Sequence, residues 1–200
     1  MGVTHADPIP QFSDNPGFRT AGQYALDHVG VSCQQIAETI LSVAAASIDF
    51  SNIPQTYRDL LLLFDGRGDT VNSMERWLRF NSDSTLGNYD WVDLRTTGTT
   101  VAATETIGTS YIYSGLIPAS SEPAGEAGFA GIQVFDYART TWNKTLNSHW
   151  GMSKQTAGQT SVGVTAGFWR STAAITGISL LATGGGNFVA GTRATLWGVV

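Results

Sequence analysis

Catalysis needs titratable groups that converge, and the residues of this chain able to supply them are few and scattered. The histidines are His5, His28 and His149, the first two near the amino terminus and the third within a strand-like stretch. A Ser–His–Asp set built on His149 has no unique partners, because serines and aspartates recur along the whole chain. There is no Gly-x-Ser-x-Gly elbow, no glycine-rich loop ahead of a lysine and no His-Glu-x-x-His pair. His149, beside Trp150, reads as a packed or surface strand residue. Carboxylate pairs fare no better as glycan-cleaving machinery. Asp90 and Asp93 fall on opposite faces if Tyr89 to Leu94 is a strand. Asp65 and Asp69 flank a turn, where aspartates ordinarily hydrogen-bond their own backbone. The expectation is that the chain is not an enzyme.

Binding chemistry is equally sparse. Asn81-Ser82-Asp83-Ser84-Thr85-Leu86-Gly87 has the oxygen-rich look of a calcium loop, but Val92 stands where a bidentate glutamate is needed. Arg67-Gly68-Asp69 is better explained as a turn than as a recognition tripeptide. Asn143-Lys144-Thr145 is a glycosylation sequon that matters only in a secretory pathway. No cofactor is expected. Aromatics on strand surfaces can fill a core, line a subunit interface or stack on sugar rings. Among six tryptophans, Trp77 and Trp142 lie beside polar neighbours and are the two expected to face a partner.

Composition bounds the rest. The net charge is −5, and Lys144 and Lys154 are the only lysines, which argues against nucleic acid as the main partner. Cys33 is the single cysteine, so neither an intrachain disulfide nor a cysteine zinc cluster is expected. The longest apolar run, Leu60 to Phe64, is too short to span a bilayer, and no secretory signal is visible. The expectation is a soluble chain used without membrane insertion. Charged residues make up 14% of the sequence against 42% hydrophobic, with abundant Gly, Ser and Thr, a mixture suited to short strands and many turns.

The elements that would position these residues follow from local pattern. Pro8, Pro10, Asp14, Asn15 and Pro16 mark an extended N-terminal arm over residues 1–37, with a short helix at 20–31 capped by Thr20. Residues 38–200 read as strands. The first covers Glu38 to Phe50; the turn at Ile53-Pro54 precedes Tyr57 to Phe64, whose unalternated leucines predict burial on both faces. Glu75 to Phe80 is expected to return beside it, with Leu78 and Phe80 on one face and Glu75, Trp77 and Arg79 on the other. Further strands are expected at Tyr89 to Leu94, Thr109 to Ile117, Gly128 to Tyr137, Lys144 to Trp150, Ser161 to Phe168, Ala174 to Ala182 and Arg193 to Val199. The fold class is all-β: an antiparallel β-sandwich or jelly roll of about nine or ten strands carrying the arm.

Four segments carry a resemblance. They are Ala45 to Leu60, with Ile53-Pro54-Gln55-Thr56-Tyr57-Arg58-Asp59-Leu60; Leu78-Arg79-Phe80-Asn81-Ser82-Asp83 with Asn88-Tyr89; Asp136-Tyr137-Ala138 with Asn143-Lys144-Thr145; and the closing run Asn187 to Val200. In order and spacing they resemble a family of tailed-bacteriophage virion structural proteins with a C-terminal jelly-roll or β-sandwich domain, over Ala37 to Val200. The resemblance implies a non-enzymatic virion part assembled in the host cytoplasm, with no catalytic residues to carry over. A capsid decoration or cement protein fits the chain length best. Its partners would be other virion proteins, the major capsid protein foremost, and further copies of itself, with a trimer expected. The alternative is a tail or fibre-tip module that binds host-surface glycans. Assembly contacts are expected at Phe12, Phe18 and Tyr24 in the arm and at Trp77 and Trp142 in the domain.

Overall fold

The computed structural model describes residues 33–71, 73–154 and 160–200. The expected helix at 20–31, and the arm as far as residue 32, lie outside the described residues. The described residues form twelve strands: β1 (Cys33–Ile40), β2 (Ser47–Phe50), β3 (Asp59–Gly66), β4 (Ser73–Phe80), β5 (Tyr89–Thr97), β6 (Thr100–Thr109), β7 (Ile112–Pro118), β8 (Gly128–Phe135), β9 (Lys144–Met152), β10 (Ser161–Trp169), β11 (Ile178–Ala182) and β12 (Arg193–Val199). No helix occurs among the described residues. The strands form an eight-stranded sheet, β1-β12-β3-β8-β9-β10-β5-β6, and a four-stranded sheet, β2-β11-β4-β7. Every pairing is antiparallel.

The connectivity is that of a jelly roll with two inserted hairpins. The chain alternates between sheets through β1, β2, β3 and β4, then through β7, β8, β11 and β12, so that β1-β12-β3-β8 faces β2-β11-β4-β7. Between β4 and β7 the chain inserts the β5–β6 hairpin, and between β8 and β11 the β9–β10 hairpin. Both extend the same sheet beyond β8. Beneath this extension lies a single strand of the smaller sheet, β7, which packs against β8, β9, β10 and β5.

Alternating burial explains which residues face the sandwich. On β3, Leu60, Leu62 and Phe64 are buried, whereas Leu63 is 43% exposed. The expected two-sided burial of this strand therefore fails at Leu63, because the outer side of the larger sheet is uncovered there. β4 follows the sequence reading, with Leu78 and Phe80 inside and Glu75, Trp77 and Arg79 outside. It does not return beside β3, however; it crosses to the other sheet and pairs with β11 and β7. The expected strand from Glu38 to Phe50 is two strands in different sheets, and β1 begins at Cys33, pairing with β12.

Two features of the core were not legible in advance. Arg76 is fully buried on the inner face of β4, its guanidinium 4.5 Å from the centre of the Phe64 ring. It donates to the Ser114 hydroxyl and carbonyl, and burial pulls it down to about 9 despite the nearby Tyr113. The second feature is the seat of Trp150, which occupies space left by two missing side chains. A Cβ at Gly115 on β7 or at Gly163 on β10 would lie 2.4 Å from its indole. We expect Gly163→Ala to destabilise the fold by about 1–3 kcal/mol through overpacking. Urea denaturation measures this, and a change under ~0.5 kcal/mol would show that the indole can shift.

Candidate functional site

The outer face of the eight-stranded sheet is apolar where an antiparallel sheet ordinarily turns polar residues to water. Cross-strand register builds it row by row. One row runs Phe129, Gly151, Val162, Thr96, Val101, and the next Leu63, Gly131, His149, Val164, Leu94, Ala103. Leu63, Leu94, Val101, Phe129, Val162 and Val164 are all exposed, Phe129 at 56%. Phe129 leans across Gly151, where an added Cβ would come within 2.7 Å of the ring. Leu94, Val101, Phe129, His149, Val162 and Val164 line a shallow depression of about 380 Å³. A contiguous patch of this kind marks an interaction surface. What it offers chemically is a dry contact, with His149 as one of few polar groups among the strands.

Two carboxylates on this side are paired with arginines. Arg170 forks onto Asp90 at 2.8 and 2.9 Å, and the Gly108 amide also donates to Asp90. Burial pushes the Asp90 carboxyl up, but these donors outweigh it and hold it below its ordinary value. Asp65 pairs with Arg193 at 2.9 Å. Asp93 lies on the opposite, inner face of β5, bonded to Trp150 and Thr165, so the two β5 aspartates do not converge. The Asp69 carboxylate takes a small contribution from its own backbone N–H, as turn aspartates do. It accepts from the backbone and side chain of Asn187, which lower its pKa, and so ties two loops together. The Arg67 side chain is engaged by the carbonyls of Ala119, Glu122 and Pro123.

The expected contact residues occupy separate places. Trp77 stacks on Tyr111 with ring centres 3.6 Å apart and planes 7° apart, on the outer face of the four-stranded sheet. Its indole N–H donates to Glu75, and Arg79 donates to the Ser110 carbonyl. Trp142, 69% exposed, sits in the β8–β9 connection. That connection closes over Lys144, whose buried ammonium donates to the carbonyls of Arg139, Trp142 and Thr172. Phe12, Phe18 and Tyr24 lie outside the described residues. The apolar sheet exterior escaped the sequence reading, although a signal existed. Val162, Val164 and Phe168 alternate with the buried Thr165 and Trp169, so β10 carries apolar residues on both faces.

The segment with the look of a calcium loop is an internal hydrogen-bond node. Asp83 accepts from the Trp169 indole at 2.7 Å, the Asn88 amide at 2.8 Å and the Thr85 backbone at 2.9 Å. Asn81 is used by Thr176, Gly177 and Ala174. Burial raises the Asp83 carboxyl, yet its donors win and hold it at about 2 against an ordinary 3.8. The stability that Asp83 contributes is thus complete above its unfolded value and is lost as pH falls through about 2. Asp83→Asn should flatten the stability profile across that window. Urea titrations at a series of acid pH values would show it, and an unchanged slope would dismiss the node as an acid-sensitive element.

No protein-family model matches the chain, and no curated protein matches it. A solved structure of the infectious bursal disease virus Gx strain is 14% identical over 84% of this chain, with a TM-score of 0.12. The match spans 39% of that chain. At such a score the likeness carries no argument.

Proposed function

We propose that this chain is a non-enzymatic virion structural protein of the tailed-bacteriophage type, a capsid decoration or cement protein. The observation that carries this reading is the apolar outer face on a jelly-roll body. Jelly rolls recur in viral capsid domains, and a dry, uncovered sheet is suited to lie against a protein lattice. The sequence resemblance over Ala37 to Val200 points the same way. The N-terminal arm would supply a second attachment, reaching neighbouring subunits through Phe12, Phe18 and Tyr24. The mechanism is passive. Each docked copy loses chain entropy and gains buried contact, and attachment at two points raises the effective strength of both.

Quantitative mass spectrometry of purified virions tests the assignment. Copies in the hundreds support a shell protein, whereas absence from the particle overturns the reading. Deletion of Met1 to Phe18 should leave a folded domain that no longer joins the particle, and undiminished incorporation would remove the arm from the mechanism.

One observation favours a tail or fibre-tip module as the second reading. The face-to-face Trp77–Tyr111 stack, half-buried and flanked by Glu75 and Arg79, puts aromatic surface on the sheet exterior of the kind that packs against sugar rings. On that reading a few copies per virion and saturable glycan binding are expected. Trp77→Ala would weaken such binding by up to about tenfold, and a glycan array without signal would eliminate it.

A further inference from the structure

The free edge of β6 has the geometry of a self-pairing strand. β6 is the last strand of the eight-stranded sheet, with β5 on one side. Among the described residues no strand pairs with its other side. The two-residue turn Gly98-Thr99 closes the hairpin with Thr97 opposite Thr100. In such hairpins the closing pair is hydrogen-bonded and bonded pairs alternate along the strand. Thr100, Ala102, Thr104 and Thr106 therefore bond to β5, while Val101, Ala103 and Glu105 turn their N–H and C=O groups to the open side. The register shifts beyond Thr106, and the Gly108 N–H donating to Asp90 leaves the Ile107 carbonyl on the open side as well. The open stretch ends at Gly108, where φ is +73° and the carbonyls of Gly108 and Thr109 accept from the Gly87 amide.

Exposed edges are normally blunted by proline, lysine or a bulge. Val101 to Ile107 contains no proline or lysine, and its only charge is Glu105. About Thr104 the two ends of the stretch, Val101 and Ile107, are matched aliphatic residues. An antiparallel partner strand related by a two-fold axis at Thr104 sets Val101 against Ile107 and Ala103 against Glu105, twice each. All four pairs are of the bonded kind, so every outward N–H and C=O in the stretch finds a partner. Val101 and Ile107, 68% and 64% exposed, then cover each other. Other registers are worse. An axis at Glu105 sets two carboxylates directly opposite, which is destabilising. An axis at Ala103 leaves Ile107 facing the hairpin turn.

We propose that a second copy of this chain pairs along β6 about a two-fold axis through Thr104, joining two eight-stranded sheets into one. The symmetry is isologous, so this contact builds dimers rather than the trimer expected from the resemblance. It also makes the apolar outer faces of the two copies continuous, since the row ending at Val101 continues into Ile107 of the second copy. The inference is independent of any place in a virion and can be tested on the isolated chain.

Sedimentation equilibrium of the full chain should give twice the chain mass at micromolar concentration. Ala103→Pro removes an outward N–H without touching the ladder to β5, and Ala103→Glu sets like charges against Glu105 at two places. Both should raise the dissociation constant at least about tenfold with unchanged circular dichroism. Ala103→Lys sets opposite charges there and should match or tighten the parent. Thr104→Cys should form a covalent dimer on mild oxidation, because partners in a non-bonded pair stand about 4.5 Å apart at Cα, whereas Thr106→Cys should not. A monomeric or trimeric parent, or equal affinity for Ala103→Glu and Ala103→Lys, would overturn the proposal.

Discussion

One buried carboxylate holds the extended sheet together. Asp93, fully buried on the inner face of β5, accepts from the Trp150 indole of β9 at 3.2 Å and the Thr165 hydroxyl of β10 at 2.9 Å. Arg95 of its own strand completes the set at 2.9 Å. A carboxylate taken out of water is costly without such partners, and losing any one of them leaves charge uncompensated. The register of three strands is therefore fixed by a single group. Around it Trp91, Tyr113 and Trp150 pack tilted or edge-on, Tyr113 reaching up from β7. This cluster is what lets one strand of the small sheet support two inserted hairpins. Without it, the apolar exterior and the open edge of β6 would have no platform.

The two outer faces of the sandwich then diverge. The four-stranded sheet turns Glu75, Arg79, Asp49 and Ser179 outward around one aromatic stack. The eight-stranded sheet turns valines, leucines and phenylalanines outward, and two of its acids, Asp90 and Asp65, are paired with Arg170 and Arg193. The first face is polar around one aromatic stack; the second is apolar along its rows. Its apolar rows run from β3 to β6, so that the face and the strand edge form one continuous surface.

How much of this the sequence disclosed depends on how strongly each element's surroundings mark it. β12 was legible to the residue, Arg193 to Val199, because its turn is glycine-marked and its apolar residues are dense. β4 was legible in its facing, from strict alternation. Its buried Arg76 was not, since a lone arginine between Glu75 and Trp77 reads as surface until Ser114 and the Phe64 ring are seen around it. β6 was missed altogether. As an edge strand with alanine and threonine on both sides it lacks the contrast that period-two reading needs. The split of β1 from β2 was hidden for another reason: residues 41–46 change sheets without proline or a glycine pair to announce the crossing. Which surface is bare depends on the whole topology, and so could not be read locally.

The order β8-β9-β10-β5-β6 places an early hairpin outside a late one. As the chain leaves the ribosome, β5 and β6 are complete well before their sheet neighbour β10 exists, and β10 must itself dock through β9 onto β8. Loop closure over such separations is slow relative to local hairpin formation. A nascent β5–β6 hairpin therefore waits with both flanks bare, and Thr-rich, Ala-rich β6 is a mild sequence in which to wait. The topology thus has a kinetic signature: the sheet completes from its middle outward, and the hairpin made first is locked in among the last.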